Sequence, residues 1–135
     1  MTFNTQHCWN YLEKHSDYKL NADTIKSFDP DIVGLNEIFN GNPHQFPDYP
    51  DFRLQPSSLS QLTGFKYYAF CSAPIPFREG PYGNALLSKY PITSVETSPI
   101  FCPTKRKYNG YYEDRVLLKV RLENGFTVLV CHFGL

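Results

Sequence analysis

The sequence predicts an α/β fold in which a strand, a helix and a second strand form one unit and antiparallel strands follow it. Two observations predict it. An apolar run, a helical stretch and a second apolar run follow one another over residues 2–37, and an alternating apolar segment broken by Asn124-Gly125 closes the chain. Composition supplies the means: of 135 residues, 41% are hydrophobic and 16% aromatic, enough for a packed core rather than a disordered coil. The length suits one domain and is short for two.

Thr2 to Cys8 reads as the first strand. A helix is predicted near Leu20–Phe28, with Asn21 or Asp23 as its cap and Leu20, Thr24, Ile25 and Phe28 on one face. Asp29-Pro30 ends it, because the residue before proline avoids helical angles. Asp31-Ile-Val-Gly-Leu-Asn-Glu37 is the second strand. A strand, a crossover helix and a strand imply parallel pairing, which brings both carboxyl ends to one rim of the sheet. Residues 40–56 read as loop, Ser57 or Ser58 to Thr63 as a short helix stopped by Gly64, and Lys66–Ser72 as a strand. After a loop over 74–83, Asn84–Ser88 reads as a strand turning at Lys89-Tyr90-Pro91, with Ile92–Ile100 extended. Pro103–Tyr112 is a loop whose Lys105-Arg106-Lys107 triplet is a solvated face before it is a phosphate site. The final hairpin sets Val116, Leu118, Val120 and Leu122 on one face, joined through Asn-Gly to Phe126, Val128 and Val130, with His132 continuing that face.

Thirteen basic residues balance thirteen acidic ones, whereas a domain gripping nucleic acid through many phosphates is usually basic. The balance lowers the case for long nucleic acid without excluding it. The four cysteines, Cys8, Cys71, Cys102 and Cys131, form no C-x-x-C pair, and Cys8 and Cys131 read as small hydrophobes. No stretch approaches the roughly 18 apolar residues that span a bilayer. The first residues show neither a charged leader nor an apolar signal core, so a cytoplasmic location is the expectation.

Glu37, directly after a buried run and facing a rim, is a hard oxygen donor suited to Mg²⁺ or Mn²⁺. Taken alone, a glutamate that simply ends a strand is the plainer account. Asn4 offers an amide oxygen as a second ligand or as a group orienting Glu37, and the parallel pairing makes the pair more telling than either residue. His132 could donate a hydrogen bond to a phosphoryl oxygen, and Arg115 could fork onto one. Asn84 could line the same rim. Each has a bland counterpart: a core-edge imidazole, a surface cation, a turn-closing amide. His7, His15 and His44 lack zinc-site spacing. No Walker loop and no G-x-S-x-G elbow is present.

The segments together resemble the endonuclease/exonuclease/phosphatase family. Thr2-Phe-Asn-Thr-Gln6 resembles its opening strand with a metal-site asparagine. Asp31–Glu37 is similar to its D-I-V-G-L-Q-E strand, whose glutamate binds the metal. Tyr82-Gly-Asn-Ala-Leu-Leu-Ser-Lys-Tyr-Pro-Ile92 is similar to G-N-A-I-L-S-R-Y-P-I. Glu113-Asp-Arg115 precedes a strand as a family arginine does, and Val128–Leu135 resembles V-V-N-T-H-L-G-L, whose histidine meets the scissile phosphate. Asn36 replaces the usual Gln, and Cys131 the usual Thr.

The resemblance implies a partial DNase I-like β-sandwich, about one sheet with flanking helices, in which residues 1–135 are the amino-terminal part of a single truncated domain. It implies Mg²⁺- or Mn²⁺-dependent hydrolysis of a phosphoester by an in-line water, on nucleic acid or a small phosphorylated molecule. Glu37 and Asn4 would hold the metal, and His132, Arg115 and Asn84 would face the phosphate. The family's G-D-F-N and S-D-H segments do not occur in this sequence. Little or no activity of the chain alone is therefore expected, with self-association through an exposed apolar sheet face. A non-catalytic remnant that binds a partner or a phosphorylated ligand is the alternative.

Overall fold

A computed structural model describes residues 1–41, 54–74, 80–100 and 114–133. The basic triplet at 105–107, Cys102 and most of the proline-rich loop lie outside these residues. Strand β1 (Thr2–Asn4) leads through a 3-10 turn (Gln6–Cys8) into a small hairpin of β2 (Trp9–Asn10) and β3 (His15–Ser16). Helix α1 (Tyr18–Ser27), strand β4 (Ile32–Phe39) and helix α2 (Gln55–Thr63) follow. Then come β5 (Tyr67–Ser72), β6 (Tyr82–Ser88), β7 (Ile92–Ile100), β8 (Arg115–Leu122) and β9 (Thr127–Cys131).

The strand–helix–strand unit is present: β1 runs parallel to β4, with Thr2 opposite Gly34 and Asn4 opposite Asn36. The first strand is shorter than its apolar run, because the chain turns at Gln6–Cys8, where all three residues have positive φ. Helix α1 starts earlier than its apolar pattern suggests. Asp17 caps it, Oδ1 accepting from the Leu20 N–H at 2.8 Å. The buried side is Asn21, Ala22 and Ile25, while Leu20 and Phe28 are exposed. Only Ile25 of the expected face reaches the core.

Two sheets carry the fold. One has the order β1-β4-β6-β5, antiparallel except for the β1/β4 pair, and the other is antiparallel β7-β8-β9. Residues on successive positions of a strand face opposite sides. Val33 and Leu35 of β4, with Ala85 and Leu87 of β6, therefore pack under Ile25 and Leu59 of the helices. On the other side, Leu86 joins Ala69 and Cys71 against Val116, Leu118, Val120 and Leu122 of β8 and Val130 of β9. The chain thus builds both layers of a sandwich, where about one sheet was expected. Among the described residues, apolar side chains pack against both faces of the four-stranded sheet, while Val95 of β7 and Leu129 of β9 stay exposed on the second sheet. The second layer rests on β8, whose alternation supplies a full inward row.

The closing hairpin keeps its expected strands, with Lys119 opposite Leu129 and Val120 opposite Val128. The turn differs. Gly125 N–H bonds to Leu122 O at 3.0 Å, and Leu122 N–H to Phe126 O at 2.9 Å. Gly125 is left-handed, at φ +90°. This is the three-residue loop with a glycine bulge, not a two-residue turn. Phe126 consequently leaves the inward row and is exposed.

Burial sets the cysteine chemistry. It pushes the Cys8 thiol up to about 12 and Cys71 up to about 11. Cys131 is raised as well, by partial burial that the nearby Arg115 charge opposes. Thiolate is the reactive form, so a thiol at about 12 offers on the order of one thiolate in ten thousand at pH 8. Iodoacetamide at pH 8 is expected to modify Cys131 well before Cys71 and Cys8 in the native chain, and all three equally in denaturant. Peptide mass spectrometry over time would show it; early labelling of Cys8 would contradict the packing.

Candidate active site

The position of Glu37 depends on a single extra residue. Along β4, Val33 and Leu35 face the helices and are fully buried. Strict alternation would send Glu37 the same way, into an apolar core where an unpaired carboxylate is very costly. The ladder slips instead: Asn36 pairs with Asn84 and Ile38 with Gly83, leaving Glu37 as a bulge. Glu37 sits at φ +55°, a left-handed conformation unusual for a side chain of this kind. The slip returns Ile38 to the helix-side core and frees Glu37 to line a hollow with Ala73, Tyr82, Gly83, Asn84, Arg115, Val116 and His132.

Neighbouring groups hold the bulge in place. The Thr5 hydroxyl lies 3.1 Å from Asn36 O and 3.0 Å from Glu37 O, donating to the two carbonyls at the slip, while Thr5 N–H also reaches Asn36 O. Beyond the slip, Phe39 N–H donates to Gln55 Oε1 at 2.8 Å, and Gln55 Nε2 donates to His7 O at 2.6 Å. Thr5, Gln55 and Asn36 were not singled out in the sequence. A hydroxyl just after a strand-end asparagine is the one signal that pointed there, and it is a weak one.

His132 is the first residue after β9 and continues the inward row of Val128 and Val130, as the alternation predicts. Its Nδ1 lies 3.1 Å from Arg115 Nη1 and 3.8 Å from Glu37 Oε1. A guanidinium only donates, so Nδ1 accepts from Arg115 and the proton of the neutral ring resides on Nε2. The 3.8 Å approach of Glu37 is too long for a hydrogen bond. Arg115 therefore orients the imidazole, and the Glu37 carboxylate remains open toward the hollow. Asn84, 2% exposed, lines the hollow from β6.

Four of the five residues singled out, Glu37, Asn84, Arg115 and His132, thus share one hollow, about large enough for a water molecule. Asn4 is placed differently. It sits on the same rim opposite Asn36, but its amide oxygen accepts from Gln6 N–H at 3.0 Å and it does not line the hollow. The donor set suits a hard cation: a partly exposed carboxylate that makes no side-chain hydrogen bond among the described residues. Mg²⁺ commonly takes one or two carboxylates and keeps several waters, so the residues fit such an ion.

His15, which has no zinc spacing, belongs to a second group. Ligand atoms of Glu13, His15 and Asp17 lie within 4.8 Å of one another on the small hairpin. Glu13 and His15 are exposed, and Asp17 already caps α1. The group shares no residue with the hollow.

Comparison with known proteins fits this arrangement. The model of the Endonuclease/Exonuclease/phosphatase family matches residues 1–130. No curated protein matches the chain. Among solved structures, an endonuclease/exonuclease/phosphatase from Beutenbergia cavernae superposes with a TM-score of 0.68 at 21% identity, over 98% of this chain and 37% of that one. A family protein from Leptotrichia buccalis gives 0.64 at 16%, over 99% and 54%. One from Bacteroides vulgatus gives 0.60 at 18%, over 98% and 51%. Identities this low establish the shared fold, and the chain spans roughly a third to a half of these proteins' length. With the family model matched across nearly its whole length, the chain belongs to the endonuclease/exonuclease/phosphatase family.

Proposed function

We propose that this chain carries the metal-holding and phosphate-facing half of a phosphoester hydrolase. The supporting observation is the left-handed bulge that turns Glu37 out of the core and into a hollow shared with Arg115 and His132. Glu37 holds a Mg²⁺ or Mn²⁺ ion, with Asn4 on the adjoining rim as a second donor if its side chain leaves the Gln6 turn. The bound cation would supply charge neutralisation at the phosphoryl oxygens.

The chain's own residues do the rest. Arg115 fixes the His132 ring with Nε2–H free to donate to an oxygen that gains charge as the ester breaks. Charge balance and the small hollow favour a compact phosphoester over a long nucleic acid. In this reading, the groups that activate the attacking water belong to the length of the family structures that this chain does not span.

Hydrolysis of bis-p-nitrophenyl phosphate tests the proposal. The 135-residue chain is expected to show little or no turnover, and the polypeptide extended to the length of its structural neighbours a turnover abolished by EDTA and restored by Mg²⁺ or Mn²⁺. Turnover by the extended protein that survives EDTA would overturn the reading.

A further inference from the structure

A chain of buried amides runs beneath the hollow from one sheet to the other. Asn36 Nδ2 donates to Asn84 Oδ1 at 2.8 Å, and Asn84 Nδ2 donates to Val116 O at 2.7 Å. Asn36 is 8% exposed and Asn84 2%. The polarity of this relay follows from chemistry. A backbone carbonyl only accepts, so Asn84 must turn its NH₂ toward Val116, which leaves its oxygen toward Asn36 and fixes Asn36 as donor.

Each end of the relay adjoins a residue of the site. Asn36 immediately precedes Glu37, at the slip in the ladder. Val116 immediately follows Arg115, whose guanidinium holds His132. Most of the contact between the two sheets among the described residues is made by apolar side chains, which are non-directional and tolerate sliding. Directional hydrogen bonds do not, and those in a buried setting gain most from exact placement. The relay is thus suited to fixing how far Glu37 stands from Arg115 and His132.

We propose that Asn84, with Asn36, is a positioning residue that sets the spacing of Glu37 against the Arg115–His132 pair, rather than a phosphate ligand. Its amide oxygen and nitrogen are both engaged inside the protein. This rests on the reading of Glu37 as a metal ligand only in one of its two tests.

The first test needs no metal. In the metal-free 135-residue chain, at a pH where the imidazole is neutral, ¹H–¹⁵N spectra of the His132 ring are expected to show one tautomer, with Nε2 protonated. Asn84→Leu, which keeps bulk and removes both hydrogen bonds, should give a mixture of tautomers. Asn36→Leu, which spares the Val116 bond, should shift the ring signals less and decides the matter if Asn84→Leu does not fold. The second test is Mn²⁺ titration in a His15→Ala background, which removes the hairpin group of Glu13, His15 and Asp17. Both leucine variants should bind about 10-fold more weakly, the loss usual when a group orienting a ligand is removed. Asn36→Gln should restore affinity, and the core variant Leu59→Val, which loosens the helix-side core away from the relay, should leave it unchanged. A folded leucine variant with the single tautomer and unaltered Mn²⁺ affinity overturns the inference. If the unmodified chain binds no Mn²⁺, the metal-site reading fails, and the tautomer result alone decides the relay.

Discussion

Replacing Glu37 by glutamine is expected to weaken Mn²⁺ binding to the chain by ~100-fold or more, equivalent to about 2.8 kcal/mol at 1.4 kcal/mol per tenfold. Glutamine keeps the size of the side chain and one oxygen, so the bulge and the hollow persist, and only the charge is lost. That charge decides affinity because a hard dication must shed tightly held water, and a neutral amide offsets little of that cost. Among the described residues Glu37 is the only carboxylate lining the hollow, so no neighbour there can take its place. A titration of the whole chain would also report any ion held by Glu13, His15 and Asp17. The measurement therefore belongs in a His15→Ala background, followed by calorimetry or by Mn²⁺ relaxation. Binding that survives Glu37→Gln but disappears with His15→Ala would place the ion on the hairpin and sink the metal-site reading.

The loss should be read as affinity, not folding. Glu37 makes no side-chain hydrogen bond within 3.5 Å among those described, and its carboxylate lies 3.8 Å from His132 Nδ1. The backbone, not the carboxylate, ties the bulge down, through Thr5. Circular dichroism melts of the two proteins should accordingly lie close together.

Much of this site was legible before any coordinates, because it rests on two strong patterns. An apolar run ending in Asn-Glu after a helix implies a parallel strand with a carboxylate at its rim. A strict alternation from Val116 to Val130 places His132 on an inward row. What sequence could not deliver was the device that makes Glu37 usable. Period-two counting puts it with Val33 and Leu35 in the core, and a bulge adds one residue with no glycine to announce it. The hydrogen bonds that stabilise the slip come from Thr5 and Gln55, remote in sequence. Asn84 was legible as a rim residue but not as half of a relay, since its partner Asn36 lies 48 positions away.

Helix α1 failed for a local reason. Its apolar residues Leu20 and Phe28 suggested one face, yet Asp17 starts the helix earlier and a different stripe packs inward. Leu20 and Phe28 stay in solvent because a face needs a partner surface, which periodicity alone does not reveal. The second sheet was underestimated similarly. The alternation in β8 was seen, but its inward row gains a partner only because β6 is buried on both sides, all seven of its residues. Continuous burial of β6 places Leu86 against β8 while Ala85 and Leu87 meet the helices.

That double burial makes Gly83 the most sensitive backbone position beside the site. It pairs with Ile38 on one side and Ser72 on the other. A Cβ added there would run into the Cys71 carbonyl oxygen and lie 3.1 Å from Ala73 N and Cys71 C. All three are backbone atoms of the neighbouring segment, so no side-chain rotation can relieve the clash, and β5 must pull away from β6. Gly83→Ala is expected to cost about 3 kcal/mol or more, beyond ordinary overpacking, which for a chain of this size lowers the melting temperature by roughly 10 °C. Because Asn84 is the next residue, the same displacement should disturb the relay and weaken Mn²⁺ binding. Gly125→Ala is the control. It has open space around a new Cβ but a left-handed backbone, so it should lose only about 1–2 kcal/mol and leave the metal site untouched. A Gly83→Ala protein that melts with the unmodified chain would show that β5 and β6 are not packed as closely as this register requires.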